Sequence, residues 1–296
     1  MFRTFLLSLT LLLAQASTTL TPDQPIKCGE CDTWNRPSSP FRLFGNTYYV
    51  GTDGLSALLV TSPGVHILLD GALPQSAALI EANIRTLGFA LGDVKLIVNS
   101  HAHFDHAGGL NALQRASGAE VATSVAGARA LRQGAPTPDD PQAAFGGKFP
   151  AVARVRDVKD GETLTVGPLE VTAHYTTGHT PGSTTWTWQS CEGSRCLNMV
   201  YADSLTAVSA PGFRFTGDAT HPSLVDRFRA SIDLVEKLPC DIVISTHPGF
   251  TRIQEKLAAR QKQPQPDPFY EPDGCRTYAA EARKRLEQRI ADEKKP

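Results

Sequence analysis

The stretch Asn99-Ser100-His101-Ala102-His103-Phe104-Asp105-His106-Ala107-Gly108-Gly109 decides how the rest of the chain is read. It comes after Val94 to Val98, a short apolar run of the kind that forms a buried strand. Side chains on an extended segment alternate between faces, so His101 and His103 project to one side and can bind the same metal ion. Asp105 and His106 come where the strand gives way to a turn, and they can face a second ion beside the first. Gly108 and Gly109 are expected to let the backbone turn tightly before a helix. Imidazole and carboxylate donors suit zinc and need no thiolate.

Four donors from one loop cannot complete two tetrahedral ions, so the reading requires further histidines. Gly178-His179-Thr180-Pro181-Gly182 comes after a predicted strand ending near Tyr175, and Thr246-His247-Pro248 after another, Asp241 to Ser245. Both stand at strand C-termini, where α/β sheets commonly place their sites. His66, His174 and His221 lack this setting and are read as structural or surface residues.

Outward from the loop, Phe41–Phe44 and Thr47–Val50 bracket Gly45-Asn46, a hairpin signal, and Leu55–Thr61 and Val65–Leu69 bracket Ser62-Pro63-Gly64, a second. The period then changes: Ile80, Ile84 and Leu87 lie at helical spacing, with Gly88 where a C-cap belongs. The second half repeats the theme. Strands are predicted around Leu169–Tyr175, Thr184–Trp188 and Met199–Ala202, then a helix with Val225, Phe228, Ile232 and Val235 on one face. A last helix from about Arg276 carries Ala279, Ala282, Leu286 and Ile290 on one stripe. Two α/β halves of similar content suggest facing sheets with helices outside. The Pro, Gly and Asp-rich stretch Gly134–Pro150 is too long for an ordinary connection and is read as a functional loop.

The chain has 296 residues, enough for one large core, and its 29 Lys and Arg nearly cancel its 30 Asp and Glu. No long basic block appears, so neither nucleic acid nor a charged membrane surface is an expected partner, and a small molecule fits better. Residues 1–16 combine Arg3, the apolar run Phe5–Leu13 and Ala14-Gln15-Ala16, the parts of a secretory signal. The run is too short to span a bilayer, so export to the periplasm without a membrane anchor is expected. Residues 17–40 read as an irregular lead-in and 41–296 as one catalytic domain, expected to act as a monomer.

Six cysteines in an exported chain suggest disulfides. Cys191 and Cys196 flank a predicted strand-to-strand turn and are paired on proximity. Cys28 and Cys31 form Cys-Gly-Glu-Cys, read as a local disulfide, with a redox motif as the alternative. That leaves Cys240 with Cys275, a clip from the C-terminal segment to the body; a Cys-based zinc site is the other reading of these thiols.

The His-x-His-x-Asp-His run together with Gly-His-Thr-Pro-Gly resembles the metallo-β-lactamase superfamily, over roughly Phe41 to Leu286. The resemblance implies an αββα sandwich with the metal site at the edge between the sheets. It implies one zinc held by His101, His103 and His179, and a second by Asp105, His106 and His247. Trp186-Thr187-Trp188, Cys191-Glu192 to Cys196 and Tyr201-Ala202-Asp203-Ser204-Leu205-Thr206-Ala207 are similar to subclass B3 enzymes, whose disulfide Cys240 and Cys275 match. Asp53 departs from relatives that carry a cysteine there. The resemblance further implies hydrolysis of the β-lactam amide bond of penicillins, cephalosporins and carbapenems, and hence antibiotic resistance. Two zinc ions would acidify the attacking water and Asp105 would orient it. Ser204 and Thr206 would meet the substrate carboxylate, and Trp34, Gln142 and Phe149 would line the cleft mouth. The alternatives are an exported thioester or lactone hydrolase of the glyoxalase II type, with Asp203 bridging the metals, and a non-catalytic zinc-binding protein.

Overall fold

A computed structural model describes residues 20–295, so the signal-like segment 1–16 lies outside the described residues. A single helical turn, α1 (Cys31–Trp34), precedes a sheet of seven strands in sequential order. These are β1 (Phe41–Phe44), β2 (Thr47–Tyr49), β3 (Leu58–Ser62), β4 (Val65–Leu69), β5 (Val94–Val98), β6 (Glu120–Ser124) and β7 (Val155–Val158). The hairpins keep β1 to β4 antiparallel, and crossover helices make β4 to β7 parallel. The helices are α2 (Ala77–Thr86), α3 (Phe104–Ala107), α4 (Leu110–Ser117) and α5 (Val125–Gln133).

The second sheet runs β12-β11-β10-β9-β8, from β8 (Thr163–Val166), β9 (Leu169–Tyr175), β10 (Thr184–Glu192), β11 (Arg195–Ala202) and β12 (Ile242–Ser245). Its flanking helices are α6 (Val225–Lys237), α7 (Ile253–Lys262) and α8 (Gly274–Glu293).

Period-two alternation sorts the apolar side chains into three layers. On the larger sheet, Leu59, Leu68, Ile97 and Val121 face outward into a layer shared with Ile80 and Ile84 of α2 and Leu110 and Leu113 of α4. Their neighbours Leu58, Val60, Ile67, Leu69, Leu96 and Val98 face inward, against Trp186, Met199, Tyr201 and Ile244. The second sheet's outward residues Val200, Ala202 and Val243 meet Phe228 and Ile232 of α6 and Tyr278, Ala282 and Leu286 of α8. This is the αββα sandwich. The indole N–H of Trp186 donates to the Asn99 carbonyl at 3.1 Å and that of Trp188 to Thr47 Oγ1 at 3.0 Å, so the two tryptophans fasten the sheets together while filling the space between them.

β5 and β9 have the bounds expected from their sequence. Strand β3 starts at Leu58 rather than Leu55, because residues 52–55 form a tight turn in which the Thr52 N–H donates to the Leu55 carbonyl at 2.9 Å. Elements β6, α5, β7, β8 and α7 have no clear sequence signal. The six cysteines form Cys28–Cys31, Cys191–Cys196 and Cys240–Cys275, which removes the thiol-based zinc alternative.

Gly108 and Gly109 require a correction. Both have right-handed helical φ, −58° and −83°, so they are not there to make an unusual turn. The reason is close approach. A Cβ on Gly109 would lie 2.2 Å from the Gly71 carbonyl oxygen, and one on Gly108 would lie 2.4 Å from the Pro74 ring.

Candidate metal centre

The C-terminal ends of β4, β5, β9, β11 and β12 open on one edge of the sandwich, and each leads into a polar residue of the site: Asp70, His101, His179, Asp203 and His247 respectively. His101, His103 and His179 bring one donor atom each to within 4.8 Å of one another, and all three are buried. A second group of the same compactness is His101, Asp105 and His106. His247 also reaches this group: its Nε2 lies 3.3 Å from Asp105 Oδ2 and 3.2 Å from His106 Nε2, and His106 Nε2 lies 3.1 Å from the same Asp105 oxygen. Three lone-pair donors converge there.

His101, His179 and His103 are each held from behind through one ring nitrogen, which leaves the other free to ligate. His101 Nδ1 is 2.6 Å from Asp203 Oδ1, and its buried Nε2 has no hydrogen-bond partner among the described residues. His179 Nδ1 is 2.8 Å from the Thr206 carbonyl, which accepts its proton. His103 Nε2 lies 3.1 and 3.2 Å from the two oxygens of Asp140. His106 Nδ1 lies 3.8 Å from Asp70 Oδ2, beyond hydrogen-bond range, and has no partner among the described residues. A buried nitrogen with no partner costs free energy unless something occupies the space before it. The orphaned Nε2 of His101 and the donor set of nitrogens and carboxylate oxygen fit a borderline cation such as zinc.

Electrostatics prepare the same state. Burial, aided by the neighbouring His106 and His103, pushes His101 well below the usual imidazole range. Burial with His101 and His103 pushes His179 down to about 3. Both are therefore neutral, the form that ligates metal. Burial alone would raise Asp105, but His106 and His247 beside it hold the carboxyl well below the carboxylate range, so it stays ionised.

The other residues expected at the site occupy several settings. Trp34 packs on the His247 ring at 5.3 Å, at the rim of the site. Gln142 Nε2 is 3.4 Å from His179 Nε2 and faces the cluster. Ser204 is buried, with its hydroxyl 2.8 Å from Thr246 Oγ1. Thr206 Oγ1 lies 3.1 Å from His179 Nδ1, so this hydroxyl holds the ligand as well as standing near the cleft. Phe149 is a correction: it is 7% exposed and packs in the outer apolar layer of the larger sheet, where its ring is removed from water, rather than at an open mouth. His66, His174 and His221 stand apart from the cluster, against Phe89, Thr187 and Asp218 respectively.

Sequence reasoning missed Asp70 and Asp140. A signal existed for Asp70, a lone acid ending the apolar run Val65–Leu69 before Gly71. Asp140 lies within the loop singled out as functional, where nothing distinguishes it from Asp139.

Residues 50–187 match the family model described as the metallo-β-lactamase superfamily. The chain is 52% identical to the Rm3 metallo-β-lactamase, with a TM-score of 0.88 over 91% of this chain and 100% of that one. It is 48% identical to MEM-A1, a subclass B3 metallo-β-lactamase from a soil metagenome library, with a TM-score of 0.85 over 88% of this chain and 98% of that one. A third similar structure is MIM-1 from Novosphingobium pentaromativorans, at 39% identity and a TM-score of 0.80, covering 88% of this chain and 92% of that one. Identity at this level over nearly the whole chain, with both donor clusters assembled, means that the protein belongs to the metallo-β-lactamase superfamily and is strongly B3-like.

Proposed function

We propose that the protein hydrolyses the amide bond of β-lactam antibiotics with two zinc ions, one held by His101, His103 and His179 and the other by Asp105, His106 and His247. The observation that carries this is the pair of converging donor triads, with Asp203 Oδ1 bonded to His101 Nδ1 at 2.6 Å. Similarity to enzymes named metallo-β-lactamases supports the substrate class. Zinc held by these residues would supply a water acidified to near neutrality and Lewis-acid polarisation of the substrate carbonyl.

The side chains supply the rest. Asp105, buried and held ionised by His106 and His247, orients that water and can carry its proton toward the departing amide nitrogen. The Gln142 amide, facing His179, is placed to donate to the substrate. Trp34, packed on the His247 ring, would close one side of the cleft, and by the resemblance Ser204 and Thr206 would meet the substrate carboxylate. Export to the periplasm, read from residues 1–16, would put the enzyme where these antibiotics act.

The glyoxalase II type of reading needs Asp203 on the metals. Its Oδ1 instead accepts from His101 Nδ1, at the opposite nitrogen of the ring from the free Nε2. The test is turnover of a chromogenic cephalosporin, a penicillin and a carbapenem by the zinc-loaded protein. Hydrolysis that a chelator abolishes and added zinc restores is expected. Inactivity on all three with two zinc ions per chain would overturn the proposal, as would faster turnover of an acyl-glutathione.

A further inference from the structure

Among the ligand histidines, His103 is held from an unusual direction. Asp203 and Asp70 come from strand ends, whereas Asp140, 37 residues from His103, comes from the long connection between α5 and β7. Its carboxylate is only 5% exposed, and it does two things at once. Both oxygens lie 3.1–3.2 Å from His103 Nε2, and Oδ1 also accepts the backbone N–H of Gln142 at 2.7 Å. Two further bonds, Asp140 N–H to the Thr137 carbonyl and Ala143 N–H to the Asp140 carbonyl, are internal to the segment. Ala210 N–H to the Pro141 carbonyl ties the segment to the chain after β11. The Asp140 carboxylate therefore links the segment to the ligand cluster, two residues before the amide that faces His179.

We propose that Asp140 is a positioning residue that couples metal binding at His103 to the docking of residues 137–142, and through them to the orientation of Gln142. The proposal rests on the two-zinc reading above. An imidazole that gives its Nδ1 lone pair to a cation becomes a stronger donor at Nε2–H, so the bond to Asp140 tightens when the site is loaded. The carboxylate in turn makes His103 a better ligand and fixes its tautomer. Because the same oxygen receives the Gln142 N–H, the segment is most firmly held when metal is present. Substrate would then meet a preset amide donor only in the loaded enzyme.

The experiment uses the full chain and its Asp140→Ala, Asp140→Asn and Asp139→Ala variants. Zinc affinity is read by competition with a chromophoric chelator, and backbone amide exchange over residues 137–142 is read with and without zinc. The wild type should bind two zinc ions and show slower exchange at Gln142 when loaded. Asp140→Ala should weaken one of the two ions by about 10–100-fold and lose the zinc-dependent slowing. Asp140→Asn, which keeps one acceptor, should fall between, and the exposed Asp139→Ala should match wild type. If Asp140→Ala does not fold, Asp140→Asn carries the test. Wild-type affinity for both ions in the Asp140→Asn protein, or zinc-dependent slowing in it as large as in the wild type, overturns the proposal alone. A wild-type chain that takes up no zinc overturns the two-zinc reading and this inference with it.

Discussion

Asp70 accepts hydrogen bonds from Asn99 Nδ2, the Ser100 N–H, the Ser100 hydroxyl and the Tyr201 hydroxyl, at 2.6–2.9 Å, in a site with no exposure to solvent. Its φ of 61° lies in the left-handed region, which Asp tolerates better than most side chains. Burial raises its pKa, and the charge of nearby His106 works against that rise. One residue thus ties β4, the loop after β5 and β11 into the floor beneath His106. At the same scale, His179 sets a pH dependence. Its folded imidazole titrates near 3 and an unfolded one near 6.5, so between these values the unfolded chain holds a proton that the folded chain does not. The contribution of His179 to stability is thus complete above about pH 6.5 and is lost as pH falls toward 3. In the metal-free protein, His179→Gln should therefore flatten the rise of stability with pH between 4 and 6 by up to about 1.4 kcal/mol per pH unit. Urea unfolding in chelator at several pH values measures this. The raised carboxyls Asp70 and Asp203 act in the opposite sense, and because a charged His179 helps to lower Asp203, the difference reports His179 together with that coupling.

Elements differ in how strongly they are tethered. The Cys240–Cys275 disulfide closes a 35-residue separation between the approach to β12 and the start of α8, whereas Cys191–Cys196 closes 5 residues across the β10–β11 hairpin. In the chain-entropy account, the longer loop restricts the unfolded state more. Replacing Cys240 and Cys275 together with serine should lower stability by about 4 kcal/mol, against about 2 kcal/mol for the Cys191 and Cys196 pair. Equilibrium unfolding of the two double variants decides whether loop length governs the difference. The longer tether has a bearing on the site, because α8 carries Tyr278, whose hydroxyl donates to the Asp203 carbonyl at 2.8 Å. Helix α7, in contrast, buries only Ile253 and Lys256, too few apolar positions for a helical period to be seen in its sequence.

At the scale of the whole molecule, the metal centre is a joint between two sheets. His101, His103, Asp105 and His106 come after β5 of the larger sheet, while His179 and His247 come after β9 and β12 of the smaller. An ion bound across that joint stabilises the folded state and not the unfolded one. With free zinc about a thousand times above Kd, linkage contributes about 4 kcal/mol per site. For two sites that is about 8 kcal/mol, so removing zinc with a chelator should lower the melting temperature by roughly 15 °C, and adding zinc back should restore it. Calorimetry checks this without reference to any substrate.

The sequence by itself determined the local parts: the strand β5, the metal loop after it, the histidines that end two other strands, and the three cysteine pairs suggested by spacing, elimination and resemblance. These are legible because the spacing of neighbouring residues settles which side chains share a face, and because a strand end exposes its next residues at the sheet edge. Only the tertiary structure decided what stands behind the ligands. Asp203 lies 102 residues from His101 and Asp140 lies 37 from His103, and no local period reports a hydrogen bond across such distances. The same holds for Gly108 and Gly109, turn formers by their sequence, which are needed instead because Gly71 and Pro74 pack against them. Phe149, a cleft residue by resemblance, packs in the outer apolar layer of the larger sheet, a contact no local pattern reports. Donor chemistry belongs to the residues. Which nitrogen is free to use it depends on contacts that exist only once the two sheets have closed.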